Sequence, residues 1–167
     1  MKRNLTVFWG KRSSLIAVLV LTIVLLLAGC GGSGEGGSVT AAATPAGQDI
    51  VINVGDITET ARFYPTEVDG TAVEILALRA PDGTIRTAFN TCQVCYGSGK
   101  GYYVQDGDVL VCQNCKNRFK ASQVEVISGG CNPIPIMPEN KVVTEETITI
   151  PAGYIKLAKD AFANWKL

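Results

Sequence analysis

Five of the six cysteines in this 167-residue chain fall between Cys92 and Cys131, and the chain contains no histidine. Cys92 and Cys95 form one Cys-x-x-Cys pair, Cys112 and Cys115 form a second after sixteen intervening residues, and Cys131 stands beyond them. This spacing lets each pair turn its two sulfurs toward a common ion or cluster, which is the pattern of a four-thiolate metal site. Thiolates without imidazole suit zinc, mononuclear iron or an iron-sulfur cluster. Three chemistries therefore compete: a redox iron-sulfur site, a structural zinc site, and thiol-disulfide exchange. Cys131 makes the count odd and reads as an extra or alternative ligand, a resolving thiol, or a buried apolar-like residue.

Lys100, Lys116, Arg118 and Lys120 lie close to the pairs in sequence. Positive charge there would lower thiolate pKa, although solvated lysines in loops carry no such meaning by themselves. No acid, base and nucleophile set is visible, so the chain is expected to have no independent enzymatic activity.

The elements that must hold these thiols have the period of strands. Ile50–Val54, Ala61–Tyr64, Val73–Leu78 and Thr84–Phe89 are β-branched or aromatic runs, and Gly101–Val104 and Asp108–Val111 follow the first pair. Asp69-Gly70, Asp82-Gly83 and Asp106-Gly107 suit tight hairpin turns, because glycine accepts positive φ. Pro133, Pro135 and Pro138 predict an extended, stiff loop after Cys131. Val142–Ile150 reads as one further strand. From Pro151 onward, Tyr154, Ile155, Ala158, Phe162 and Trp165 recur at helical steps and predict a C-terminal helix packed on the sheet. The expected fold is mainly β: a small antiparallel sheet or barrel around a two-knuckle metal-binding core or, by the resemblance that Ala88–Cys92, Gly107–Phe119 and Gly129–Pro135 carry, a Rieske-like one, with one C-terminal helix.

The N-terminus has a different character. Lys2, Arg3, Lys11 and Arg12 precede an apolar or small run from Leu15 to Ala28, and Leu27-Ala28-Gly29-Cys30 follows. Basic, apolar and then small is the order of an export signal. The last four residues resemble the bacterial lipobox, which implies cleavage before Cys30 and lipid attachment to its thiol. An uncleaved anchor is the alternative, but fourteen residues are short of the ~20 that a bilayer requires. Three segments result: a lipoprotein signal peptide at 1–29, lipidated Cys30 with a flexible Gly/Ser/Ala linker at 30–48, and a metal-binding domain at 49–167. This puts the protein at the extracytoplasmic face of a cell membrane, held by a lipid anchor. The signal holds four of the 15 basic residues and none of the 15 acidic ones, so 11 basic residues remain in the rest. An excess of about four negative charges gives no reason to expect a nucleic-acid partner.

The flanks of the cysteine pairs carry resemblances. Gly107–Cys112 leading through Gln113-Asn114-Cys115 to Phe119 resembles the second ligand loop of Rieske-type domains. Ala88–Cys92 resembles the strand entering their first loop, and Gly129-Gly130-Cys131-Asn132-Pro133-Ile134-Pro135 their proline-containing covering loop. Rieske sites alternate Cys and His, whereas Cys95 and Cys115 stand here where histidine would, so an all-thiolate cluster is expected to have a lower potential. Asn90–Gly97, the Gly-Tyr-Tyr segment, Val111–Cys115 and Gly129–Pro135, taken in order, resemble the membrane iron-sulfur-containing FtrD-like family. That resemblance implies an iron-sulfur or related centre on a membrane-attached protein, with Cys92, Cys95, Cys112 and Cys115 as binding residues and Cys131 as a further candidate. It further implies an electron-carrying role beside a membrane redox or ferrous-iron-uptake partner. Zinc is the alternative metal.

Overall fold

The computed structural model describes residues 39–167, so the export segment, Cys30 and the first part of the expected linker lie outside the described residues. The centre of the domain is a five-stranded sheet in the order β1-β3-β4-β5-β9. Its strands are β1 (Val39–Thr40), β3 (Arg62–Val68), β4 (Thr71–Arg79), β5 (Ile85–Cys92) and β9 (Pro133–Pro135). β1 runs parallel to β3, and the other pairings are antiparallel.

Strand alternation sends side chains to both faces of this sheet, and both faces are covered. Tyr64, Val68, Val73, Ile75, Ala77 and Phe89 point toward one core. Ala61, Phe63, Leu76, Leu78 and Ala88 point toward the other. This explains why β4 is a nearly continuous apolar run rather than an alternating one. The first core is closed by β2 (Ile50–Asn53), β11 (Thr147–Ile150) and the C-terminal segment, with exposed β10 (Val142–Val143) pairing on the outer side of β11. The second is closed by a three-stranded ribbon of β6 (Tyr103–Asp106), β7 (Val109–Cys112) and β8 (Arg118–Lys120). The cysteines belong to this second core.

The hairpin dipeptides behave as their chemistry requires. Asp69 and Gly70 turn β3 into β4 with φ of 47° and 79°, and Gly83 and Gly107 adopt φ of 82° and 60°.

Three expected boundaries shift. Val39–Thr40 pairs with β3, the Ala41 N–H donates to the Phe63 carbonyl at 2.7 Å, and the Thr66 hydroxyl holds the Thr44 carbonyl at 2.9 Å. Residues 39–44 of the expected linker therefore hydrogen-bond along β3, whose open edge offers partners that small residues can reach. Val142–Ile150 is a hairpin rather than one strand. The Thr144 hydroxyl receives the Thr147 N–H at 2.9 Å, turning the chain around two glutamates that would otherwise interrupt a paired strand. The C-terminal helix α1 is short (Ala152–Leu157) and passes at Ala158 into a 3-10 turn over Lys159–Phe162. That tighter winding brings Ile155, Phe162 and Trp165 together in the first core, where Phe162 and Trp165 meet edge to face at 5.0 Å. The stripe packs inward as its spacing predicts.

The proline loop becomes edge strand β9 on β5. An edge is where a strand tolerates prolines that cannot donate to the ladder.

Candidate metal centre

The two cysteine pairs sit where strands end. β5 terminates at Cys92 and β7 at Cys112, so each first cysteine is fixed by a ladder and each second one by the turn that follows. The register of β5 against β9 breaks between Phe89 and Cys92, and such an irregularity re-aims the end of a strand. In the first turn the Cys95 N–H points at the Cys92 sulfur at 3.4 Å. In the second, the Lys116 N–H closes on the Cys112 carbonyl at 3.0 Å, with Lys116 in the left-handed region at φ 62°.

The segment Gly101–Tyr102 joins the two turns. The Cys92 N–H donates to the Gly101 carbonyl at 2.7 Å, and the Gln113 N–H donates to the Tyr102 carbonyl at 2.8 Å. A Cβ at position 101 would lie 2.4 Å from the Cys95 carbonyl oxygen, so only glycine allows this approach. Tyr103, 1 % exposed, continues into the core beside the sulfurs, and its N–H is taken by the Asn90 side chain at 2.9 Å.

All five thiols are free and converge. The sulfurs of Cys92, Cys95 and Cys112 lie within 4.8 Å of one another, as do those of Cys95, Cys115 and Cys131. Cys95 is common to both triplets. Cys92, Cys95 and Cys112 are buried, Cys131 is half-buried and Cys115 is exposed, so the cluster is dry on one side and open on the other. Cys131 arrives on a loop held from several sides. Its carbonyl accepts from the Tyr103 hydroxyl at 2.8 Å and from Asn117 Nδ2 at 2.9 Å. Gln93, the residue after Cys92, brackets the loop: its N–H donates to Asn132, its Oε1 accepts from Gly129 and its Nε2 donates to Pro133, each at 3.0 Å.

Burial and hydrogen bonding distinguish the thiols. Burial raises Cys95, and burial together with neighbouring thiols pushes Cys112 up to about 12. Cys131 is also pushed up to about 12, chiefly through its hydrogen bond with Cys115. At Cys115 the effect of burial is outweighed by the Asn117 N–H and by neighbouring thiols, which bring it down to about 7. Cys92 is lowered too, because the Tyr103 hydroxyl and the N–H groups of Val94 and Cys95 outweigh its burial. Hydrogen bonds, not the four nearby cations, are the principal lowering causes. Arg118 spends its charge on exposed Asp106 at 2.8 Å.

The donor set suits a thiophilic metal or an iron-sulfur cluster. Cys92, Cys95, Cys112, Cys115 and Cys131 are all brought together. Asn90, Gly101, Tyr103, Asn117 and Gln93 have supporting roles that their sequence context does not single out, save that glutamine follows the first cysteine in both pairs.

A mainly β domain with two cysteine turns and convergent free thiols has the donor set of a thiolate metal site. The model of the family described as membrane iron-sulfur containing protein FtrD-like matches residues 39–162, and the chain belongs to that family. No curated protein and no solved structure matches the chain, so the Rieske-type likeness rests on the local sequence motifs alone. Among the described residues, no helix is long and apolar enough to cross a membrane.

Proposed function

We propose that this protein is a membrane-tethered, extracytoplasmic electron carrier in which the cysteine cluster holds an iron-sulfur centre that serves a membrane redox or ferrous-iron-uptake partner. The observation that carries the reading is the arrangement of the sulfurs as two triplets joined at Cys95. A single tetrahedral ion with bonds of about 2.3 Å would draw four sulfurs into one set with edges near ~3.8 Å. Five sulfurs spread over two overlapping sets suit a polynuclear centre, in keeping with the family's description.

When bound, such a centre supplies one-electron chemistry at a potential governed by its ligands, the hydrogen bonds to sulfur and its exposure. The chain's own residues set these quantities. Cys92, Cys95 and Cys112 would hold the buried side and Cys115 the exposed side through which electrons pass. The Cys95 N–H points at the Cys92 sulfur, and with the Val94 N–H and the Tyr103 hydroxyl it favours negative charge there. Membrane attachment is proposed to run through lipidated Cys30, released as the new N-terminus when residues 1–29 are removed, and through the chain that leads from it into the domain.

The test is metal and acid-labile sulfide analysis of anaerobically purified protein, with visible absorption and electron paramagnetic resonance after reduction. Iron with matching sulfide and a reducible chromophore is expected. A colourless protein with stoichiometric zinc overturns the redox reading.

A further inference from the structure

The loop that carries Cys131 is held near its tip by Gln93, Tyr103 and Asn117, but it buries little apolar surface between Glu125 and Gly130. Val126 and Ile127 are exposed, and Gly129 and Gly130 adopt φ of 86° and 66°. Backbone with so little buried surface is not ordered by its own contacts. Its ends, however, are joined. Glu125 and Lys141 bracket the excursion, and their side chains pair at 6 % and 4 % exposure.

Thr87, five residues ahead of Cys92 on β5, completes the junction. Its hydroxyl donates to Glu125 Oε1 at 2.7 Å and accepts from Lys141 Nζ at 2.9 Å, and its N–H also donates to Glu125 Oε1. The Thr87 carbonyl accepts from the Ile136 N–H at 3.0 Å. Glu125 itself takes φ 62°, a region that a glutamate occupies only when its surroundings impose it. Replacing a buried ion pair by apolar residues of equal volume is often neutral or stabilising, so it is the direction this pair imposes, rather than its energy, that bears on the loop.

We propose that Glu125, Lys141 and Thr87 form a clamp whose role is to position Cys131 against Cys95 and Cys115, making them positioning residues of the cysteine cluster. Both ends of the loop are pinned to the strand that ends at Cys92, so the fifth thiol and the first knuckle share one reference frame. The clamp deepens the proposed metal-site reading, but its principal test does not depend on what the cluster holds.

The experiment uses the full chain, reduced and metal-free, in detergent. Glu125→Gln/Lys141→Met is compared with wild type by iodoacetamide labelling of each cysteine, read by mass spectrometry, alongside the thermal unfolding transition. The clamp predicts that Cys131 labels about tenfold faster in the variant while Cys92 and Cys112 keep their slow rates. An unchanged Cys131 rate, or equal acceleration of all five thiols, overturns it. Should the double variant lose its cooperative transition, Thr87→Val, which keeps the charges paired, decides instead by the same selective criterion. Cobalt(II) loading gives a second readout. The clamp variants are expected to reproduce the thiolate-to-cobalt absorption of Cys131→Ser, and a wild-type spectrum where Cys131→Ser departs from it overturns the proposal. Failure of the iron-sulfur reading would show as zinc in the purified protein and would leave the labelling result intact.

Discussion

The hydroxyl of Tyr103 donates to the main-chain carbonyl of Cys131 at 2.8 Å, so a side chain packed among the buried sulfurs also ties down the loop that covers them. The same hydroxyl, whose single proton serves one acceptor at a time, lowers the Cys92 thiol when it turns toward that sulfur. One residue thus couples the dry and open sides of the cluster. Tyr103→Phe keeps the ring and removes the bond to Cys131 together with the donor available to Cys92. It is expected to lower stability by about 1 kcal/mol, since Asn117 still satisfies the carbonyl. Urea unfolding checks this, and labelling of metal-free protein is expected to show slower modification of Cys92 at neutral pH as its thiol rises.

Gly101→Ala tests the junction between the two cysteine turns. The added methyl must displace the Cys95 carbonyl, a backbone atom 2.4 Å away. Overpacking of this kind is expected to cost about 3 kcal/mol or more and to abolish metal binding. Gly97→Ala, where a Cβ meets nothing within 4 Å, is the control and is expected to bind metal like wild type. Thermal unfolding and metal content of the two variants check the contrast.

Metal binding is expected to strengthen with pH. Ligation requires thiolates, and Cys112 and Cys131 are each pushed up to about 12 in the metal-free fold. For a thiol raised above its unfolded value, the folded state favours the neutral form. That contribution to stability is complete below the ordinary thiol pKa of about 8.5 and is lost as pH climbs toward the folded value. Cys115, lowered to about 7, acts in the opposite sense: its contribution is present above the unfolded pKa and disappears as pH falls through about 7, with its exposure screening the effect. Competition titrations with a zinc chelator at several pH values check the affinity. Urea midpoints of metal-free protein check that stability declines on the alkaline side.

Cys131→Ser is expected to change the absorption and magnetic spectra of the loaded protein while the Cys-x-x-Cys sulfurs retain metal, because Cys131 shares a triplet with Cys95 and Cys115. An unaltered spectrum at full occupancy would reduce Cys131 to a loop residue.

Phe162→Ala is expected to destabilise the domain by about 3–5 kcal/mol, the usual cost of truncating a buried aromatic ring. Phe162 touches Phe89 at 6.0 Å and Trp165 at 5.0 Å, so the C-terminal turn lies against the strand that ends at Cys92. The Gly99 N–H also donates to the Asn164 carbonyl at 2.8 Å, linking that turn to the segment after the first cysteine pair. Calorimetry checks the stability loss.

Much of the fold was legible because strand period, Asp-Gly turns and cysteine spacing are local properties. β2 through β7 follow apolar runs that alternate or, in β4, stay buried on both faces. The errors have nonlocal causes. Val39–Thr40 has no strand signature and is ordered by the open edge of β3. The hairpin at Thr144 depends on a side-chain cap, and the break at Ala158 depends on where Phe162 and Trp165 must reach.

By itself the sequence determined the donor chemistry, since five thiols without histidine admit only thiolate ligation or sulfur redox, and it determined the knuckle form through the two short spacings. Tertiary structure decided that Cys131 joins the cluster, that Cys95 is common to two triplets, and that Gln93, Tyr103 and the Glu125–Lys141 pair hold the covering loop. Such relations connect residues tens of positions apart through burial and hydrogen-bond direction, quantities that arise only when the ribbon of β6 to β8 closes onto the central sheet.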